Sequence, residues 1–419
     1  MTDAGGASPM GAVLVVGGGI SGMTVALEAA EVGKDVFLIE KNPYLGGRVA
    51  QLNQYFPKLC PPSCGMEINF KRLKNNRKVR MYTMTQIKSV SGAAGNYEVT
   101  LETAPRMVNN NCTACNDCVA VCPEERDNAF NFGMDKTKAI YKPHEMAMPM
   151  KYVIDPEACT KCGKCVEACK YQAIELDMAP RIFTVNVASI AWSTGWNPYD
   201  PTRMENLKFN QSDAIITNMM MERLAAPAGP TKGKILRPGD NKEPESFGFV
   251  QCAGSRDENH LEYCSYICCM ATMKQITYIR ERYPEAPIYV FYIDLRTPGK
   301  YEKFRAQLMD DPNNHFIKGK VADIVPESDG GVTMIAENAV TGEKIEQKVD
   351  LAVLATGMEP AARSQAAALG VQVDNNGFIV SDADKAMLSA GCARKASDVV
   401  TAAQNSTAVA LKAIQASRR

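Results

Sequence analysis

Cys252, Cys264, Cys268 and Cys269 stand in one stretch, QCAGSRDENHLEYCSYICC (251–269), spaced C-x11-C-x3-C-C. Eight more of the fifteen cysteines form two runs of identical spacing, C-x-x-C-x-x-C-x-x-x-C. Cys112, Cys115, Cys118 and Cys122 make the first; Cys159, Cys162, Cys165 and Cys169 make the second. No disulfide framework needs such spacing. Small residues between the thiols let the loop wrap an inorganic cube with its N–H groups facing the sulfurs, so the chemistry expected of each run is one-electron transfer through a [4Fe-4S] cluster. Zinc ribbons use pairs of C-x-x-C rather than triplets with a distant fourth. For the 251–269 stretch, three readings compete. Four buried structural thiols would seldom gather in so short a segment by accident. Adjacent cysteines fit tetrahedral zinc awkwardly, and the C-x-x-C signature is absent. A third [4Fe-4S] cluster is therefore expected there.

The elements that must position these thiols begin with AVLVVGGGISGMTVALEAAEVGKDVFLIEK (12–41), which reads as strand, turn, helix, strand. Gly17 makes a tight turn, Gly19 lets the backbone approach a pyrophosphate, and Gly22 allows close packing of helix on strand. The helix N-terminus offers free N–H groups and the positive end of a dipole to phosphate. Glu40 ends the second strand, where an acid accepts hydrogen bonds from a ribose. NPYLGGRV (42–49) follows, and its Gly46, Gly47 and Arg48 resemble the FAD-binding domains of two-dinucleotide flavoproteins. FAD is the expected nucleotide.

The bulk composition excludes several classes. Forty-seven basic and forty-seven acidic residues cancel, so no global field points to nucleic acid. The N-terminal MTDAGGASPM carries an acid where a secretory signal needs positive charge. Residues 4–27 lack charges but hold seven glycines, which argues against membrane insertion. With cysteines spent on clusters, the reducing cytoplasm is the expected compartment.

Both runs match the bacterial ferredoxin pattern, the first with its trailing Pro123, the second with Lys170 instead. That resemblance implies that the fourth cysteine of each run crosses over. One cluster then takes Cys112, Cys115, Cys118 and Cys169; the other takes Cys159, Cys162, Cys165 and Cys122. The connector between the runs (124–156) is longer than a minimal ferredoxin needs and reads as a surface excursion, either a solvated connector or a partner-docking loop.

Past the insertion, a strand leads to Ser193-Thr194-Gly195 and later another to Ala355-Thr356-Gly357, each followed by a proline. This pairing resembles the two domain crossings of chains related to thioredoxin reductase, with Thr194, Gly195, Thr356 and Gly357 near the flavin. Residues 201–350 then take the place of an NAD(P) domain. No G-x-G-x-x-G occurs there, and after the strand FGFV (247–250) the four-cysteine stretch replaces the phosphate turn. Lys274, in the helix-like MATMKQITYIRERY (270–283), stands either near the flavin, favouring its reduced anionic ring, or in solvent. Cys60 and Cys64 form a C-x3-C pair stiffened by two prolines, either structural thiols near the flavin or a redox dithiol. Gly391 is expected near the FAD phosphates and Cys392 as a buried small residue. The last helix, ending ASRR, suits a C-terminal dipole.

QCAGSRD…YCSYICC…K followed by IYVFYIDLRTPGKYEKF resembles the A subunit of heterodisulfide reductase, a flavin and iron–sulfur protein. Length and the lack of flanking segments bring the chain nearer to the related A subunit (QmoA) of the quinone-interacting membrane-bound oxidoreductases of sulfate reducers. The resemblance implies an α/β, thioredoxin-reductase-like two-dinucleotide flavoprotein fold with an inserted ferredoxin domain. It implies segments 1–107 (FAD, first part), 108–180 (two-cluster insertion), 181–200 (return strand), 201–350 (degenerate NAD(P)-like domain) and 351–419 (FAD, C-terminal part). It also implies an oxidoreductase subunit of a membrane-bound complex, with heterodisulfide-reductase-like and quinone-reactive partner subunits. That subunit would be cytoplasmic and peripherally bound, relaying electrons between a quinone pool and adenylylsulfate reductase in dissimilatory sulfate reduction. The alternatives are a heterodisulfide-reductase-like bifurcating subunit and a self-contained NAD(P)H or disulfide flavoprotein.

Overall fold

The computed structural model describes residues 11–417. The N-terminal MTDAGGASPM and the basic end at Arg418 and Arg419 lie outside the described residues. The first sheet is parallel, in the order Met387–Ser389, Ser189–Trp192, Val13–Val16, Val36–Glu40, Val79–Thr83. Val13–Val16 is central and buried along its whole length, so it reads as an unbroken apolar run rather than an alternation. On one face lie helices Ile20–Glu31 and Val399–Ala416, whose Ala26, Ala29, Ala410 and Ala413 share one core with the sheet. On the other face lies an antiparallel layer, Arg181–Val187, Asn96–Thr103 and Thr85–Ala93, contributing Val99, Leu101 and Val185.

A second parallel sheet runs Ile215–Thr217, Leu351–Thr356, Phe247–Ala253, Ile288–Tyr292, Asn314–Lys318. Helices Asn218–Ala225 and Cys268–Arg282 pack on it through Met221, Leu224, Met273 and Ile276. A meander, Val321–Pro326, Val332–Glu337 and Lys344–Val349, covers the opposite face with Ile324, Val332 and Met334. The chain crosses between the sheets twice, and the crossings pair with each other: Trp196–Pro198 runs antiparallel to Met358–Pro360.

The two cysteine runs adopt one local conformation. Ala114 and Asn116 are left-handed in the first, Lys161 and Gly163 at the matching positions of the second. Each run then makes a short helix, Asp117–Ala120 or Lys164–Ala168. Met107, Val108, Ile140, Ile154, Cys118 and Cys165 form the shared core of this module.

The connector is not the surface excursion expected from sequence. Phe130 and Asn131 are buried, and the connector is held by both neighbouring units. Gln51 donates to the Phe130 carbonyl (3.1 Å), Leu45 N–H to the Met148 carbonyl (2.9 Å), and buried Arg223 to Asn131 Oδ1 (2.8 Å). The Arg223 guanidinium also covers the Phe130 ring at 4.7 Å. The polarity of the segment hides this: Glu125, Asp127 and Lys136 face out, while Phe130, His144 and Met148 turn inward. Among the described residues no helix is long and apolar enough to cross a membrane.

Candidate functional site

A cavity of about 640 Å³ opens at the C-terminal ends of the first sheet's strands and runs on to helix Cys268–Arg282 of the second unit. Its first end is built by the glycine turn. Gly17 has φ +105°, and a side chain there would overlap the Ser193 carbonyl. A Cβ on Gly22 would overlap the Gly17 carbonyl, so Gly22 sets how near the helix lies to the strand without itself lining the cavity. Gly46 N–H donates to the Gly18 carbonyl (2.9 Å), bringing the Gly46-Gly47-Arg48 loop against the turn. Gly17, Gly19, Gly46, Gly47 and Arg48 all line the cavity, as do Thr194 and Gly195.

Glu40 lies buried at the cavity wall, its Oε2 accepting Gly18 N–H (2.6 Å) and its Oε1 accepting Asn42 N–H (2.8 Å). Burial raises its pKa against those hydrogen bonds. Arg48 is held by the Trp196 carbonyl (3.1 Å), Gln51 (2.9 Å) and Asn197 (2.8 Å). Ser193 Oγ and Thr194 Oγ1 line the same wall, buried and without a partner. Two orphaned hydroxyls beside a glycine turn and a helix N-terminus fit a ligand rich in oxygen acceptors, which is what the diphosphate and ribityl parts of FAD supply. Sequence reasoning passed over Ser193 and Asn42. The strand–S-T-G pattern contained the first; nothing local marked the second.

Thr356, Gly357 and Gly391 do not line the cavity. Thr356 Oγ1 donates to Asn218 (3.1 Å), and Gly357 packs on Ser255 and Ser265 behind the wall. Gly391 leaves room for Ser21, which does line it. Cys392, expected as a buried small residue, forms part of the lining, and its thiol donates to the Ser397 carbonyl (3.4 Å). Cys60 and Cys64 are outside the lining, while Tyr55, whose N–H donates to the Cys60 carbonyl, is part of it.

At the far end Lys274 lines the cavity but is neither solvated nor a free cation. It is 4 % exposed, pairs with Glu222 at 3.0 Å and donates to the Gln54 carbonyl at 2.6 Å. Glu222 also accepts from Gln275 (2.7 Å), Tyr278 (3.1 Å) and Asn53 N–H (3.0 Å). This hub was not legible in TNMMMERLA, where Glu222 looks like any helix surface acid.

The thiols fall into groups. Cys122, Cys159, Cys162 and Cys165 surround one small hollow in the insertion, the set expected from crossing over. Cys118 has Cys112 and Cys115 among its thiol neighbours, and burial pushes it up to about 12. Backbone N–H groups face the sulfurs: Lys161 N–H donates to Cys159 (3.4 Å) and Ala173 N–H to Cys169 (3.3 Å). Cys252, Cys264, Cys268 and Cys269 are also mutual neighbours. Cys252 sits at a bulge with φ +57°, where the strand Phe247–Ala253 breaks register, and Cys268 and Cys269 open helix Cys268–Arg282. Burial pushes Cys252 up to about 11 and Cys268 well above the ordinary thiol range, so thiolates there need a strong positive partner. Gln251, next in sequence, leaves both amide atoms buried and unpartnered. Among the described residues no three His, Cys, Asp or Glu side chains converge as they would on a single ion. A cubane spreads its thiolates more widely, because each bonds a different iron corner.

His144 of the connector stacks on Phe130 (4.8 Å) and meets Tyr44 edge-on (4.9 Å). Its Nε2 is buried and unpartnered, and burial, helped by Arg223, lowers its pKa to about 4. Between pH 6.5 and 4 the unfolded chain binds a proton there that the folded chain does not. Stability should therefore fall as pH falls through that window, by up to about 3 kcal/mol for this group. Denaturant unfolding at pH 7 and pH 5 measures the slope, and His144→Gln should flatten it.

Residues 12–109 match the family of FAD dependent oxidoreductases and residues 111–173 the 4Fe-4S dicluster domain. The fold resembles thioredoxin reductase from Lactococcus lactis (TM-score 0.54, 13 % identity, 97 % of this chain and 99 % of that one). It also resembles the T. acidophilum enzyme (TM-score 0.55, 12 % identity, 97 % and 98 %). The chain thus joins a segment of FAD dependent oxidoreductase type and a 4Fe-4S dicluster segment on a thioredoxin-reductase-like fold. Over most of its length the sequence is similar to A subunits of heterodisulfide reductases. It is 38 % identical over 375 residues to the iron-sulfur A subunit of the CoB–CoM heterodisulfide reductase of Methanocaldococcus jannaschii, covering 87 % of this chain and 56 % of the relative. It is 36 % identical over 352 residues to the A subunit of the ferredoxin/F420H2-dependent CoB-CoM heterodisulfide reductase of Methanosarcina acetivorans, covering 83 % and 44 %. The chain spans about half the length of these curated relatives.

Proposed function

We propose that the chain is a heterodisulfide-reductase-A-like electron-transfer subunit that joins one-electron partners to a two-electron flavin inside a larger complex. Flavin exchanges two electrons and [4Fe-4S] clusters one at a time, and that difference is the chemistry the bound groups supply. Gly17, Gly19, Glu40, Arg48, Ser193 and Thr194 would hold FAD. The two ferredoxin runs would hold two clusters, and Cys252, Cys264, Cys268 and Cys269 a third. One observation carries the reading: Tyr266 and Ile267, between Cys264 and Cys268, and Met270, Ala271 and Lys274, which follow Cys269, line the cavity. The segment that carries these thiols thus borders the flavin site, where a pyridine-nucleotide turn would otherwise stand. Lys274 and Glu222 keep a paired charge at that wall, and Met219, Ile267 and Met270 limit water beside it.

Anaerobic mixing with NADH or NADPH tests this. The flavin absorbance should persist with either nucleotide and bleach with a one-electron donor. Prompt bleaching by NADH would make the chain a self-contained flavoprotein oxidoreductase.

The route from a quinone pool through a peripheral membrane complex to adenylylsulfate reductase, implied by the QmoA resemblance, is the second reading. It stands behind the first because the curated relatives the chain matches are heterodisulfide reductases. Electron delivery to adenylylsulfate reductase but not to a heterodisulfide, in the intact complex, would reverse that order.

A further inference from the structure

We propose that Arg256 raises the reduction potential of the cluster held by Cys252, Cys264, Cys268 and Cys269; this rests on reading those thiols as a cluster site. Cys252, Cys268 and Cys269 are 7 %, 6 % and 7 % exposed. A four-thiolate cubane gains negative charge on reduction, and in so buried a place that charge is costly. Burial alone would therefore leave the site hard to reduce. A cation at the thiols reverses part of that cost.

The local fold supplies one. After Cys252 the chain turns back on itself: Ser255 N–H donates to the Cys252 carbonyl (3.1 Å), Asp257 N–H to Leu261 (3.1 Å), and Ser255 Oγ meets Ser265 Oγ at 2.6 Å. Arg256 takes φ +55° in this turn, and its N–H donates to the Tyr263 carbonyl (3.2 Å). On one side the guanidinium lies within electrostatic reach of the Cys252 thiol. On the other it donates through Nη2 to Asp294 Oδ2 at 2.8 Å. The Asp294 carbonyl in turn accepts from the Cys269 thiol at 3.5 Å. Arg256 and Asp294 therefore form a dipole with its positive end at the thiols.

Solvent screens the two ends unequally. The Arg256 side chain is 23 % exposed and that of Asp294 52 %, so the cation acts more strongly on the buried site than the anion beyond it. Arginine also stays charged at any working pH, so the effect persists across it. Tyr266 N–H, donating to Cys264 Sγ at 3.4 Å, acts in the same direction.

The test is a redox titration, followed by electron paramagnetic resonance, of the full chain loaded anaerobically with FAD, iron and sulfide. The third-cluster signal is the one lost in Cys268→Ser. Its midpoint should move down in Arg256→Gln, stay close to the parent in Arg256→Lys, and move up in Asp294→Asn. A purely structural ion pair would not give opposite signs for the two partners. Unmoved midpoints, or both moving the same way, overturn the proposal. Should Arg256→Gln fail to load iron, Asp294→Asn, which leaves Arg256 in place, decides alone. A parent binding about eight irons per flavin, with no third signal, would overturn the cluster reading itself. About twelve irons with an unmoved midpoint would overturn only the role of Arg256.

Discussion

Lys274→Met lowers the stability of the protein by about 3 kcal/mol, and Glu222→Met by more, about 4–5 kcal/mol. The pair is buried, with 5 % and 2 % of the two side chains exposed, so solvent cannot take over for a missing partner. The order follows from what each residue keeps. Without Lys274, Glu222 still accepts from Gln275, Tyr278 and the Asn53 N–H. Without Glu222, Lys274 keeps the Gln54 carbonyl, while Gln275, Tyr278 and Asn53 all lose an acceptor. The double replacement by two methionines should cost less than the sum of the singles, since no unpaired charge remains. Denaturant unfolding of the four proteins measures all three values. A neutral Lys274→Met would mean that the lysine is not held as the structure places it.

Gly22→Ala abolishes FAD retention and destabilises the fold by about 3 kcal/mol or more, whereas Gly19→Ala spares the fold. The Gly22 Cβ would overlap the Gly17 carbonyl, a backbone atom that cannot move without parting helix Ile20–Glu31 from strand Val13–Val16. At Gly19 the nearest atom to a new Cβ is Gly47 Cα at 3.7 Å, an ordinary contact. Any loss of FAD in that variant reports on crowding of the ligand rather than on the fold. Thermal unfolding with and without added FAD separates the two effects. If Gly22→Ala keeps both its melting temperature and its FAD, the close packing assigned to it is wrong.

The motifs bound to one short stretch of chain were legible in the sequence. The Gly17 turn and Glu40 are encoded by a strand–turn–helix–strand unit, and the ferredoxin runs by a spacing that a cubane demands. What escaped was long-range. Glu222 meets Lys274 across fifty-two positions, and no local pattern marks a helix acid as buried. The connector was misjudged because its charged residues outnumber Phe130, Asn131 and His144, the residues that decide where it goes. Lys274 was left between a flavin-side and a solvated position; its place on the cavity wall, paired with an acid, depends on the loop at Gln54 and the helix Asn218–Ala225, both distant in the chain.

The four thiols of the segment bordering the cavity carry the most weight in this picture of the protein. Iron and acid-labile sulfide per FAD, measured on anaerobically prepared protein, test them most directly. About twelve irons per flavin are expected, falling to about eight when Cys268 and Cys269 are both replaced by serine. A parent protein with about eight irons, unchanged by that replacement, would contradict the picture: the stretch would then hold thiols alone, and thiol chemistry beside the flavin would become the better reading.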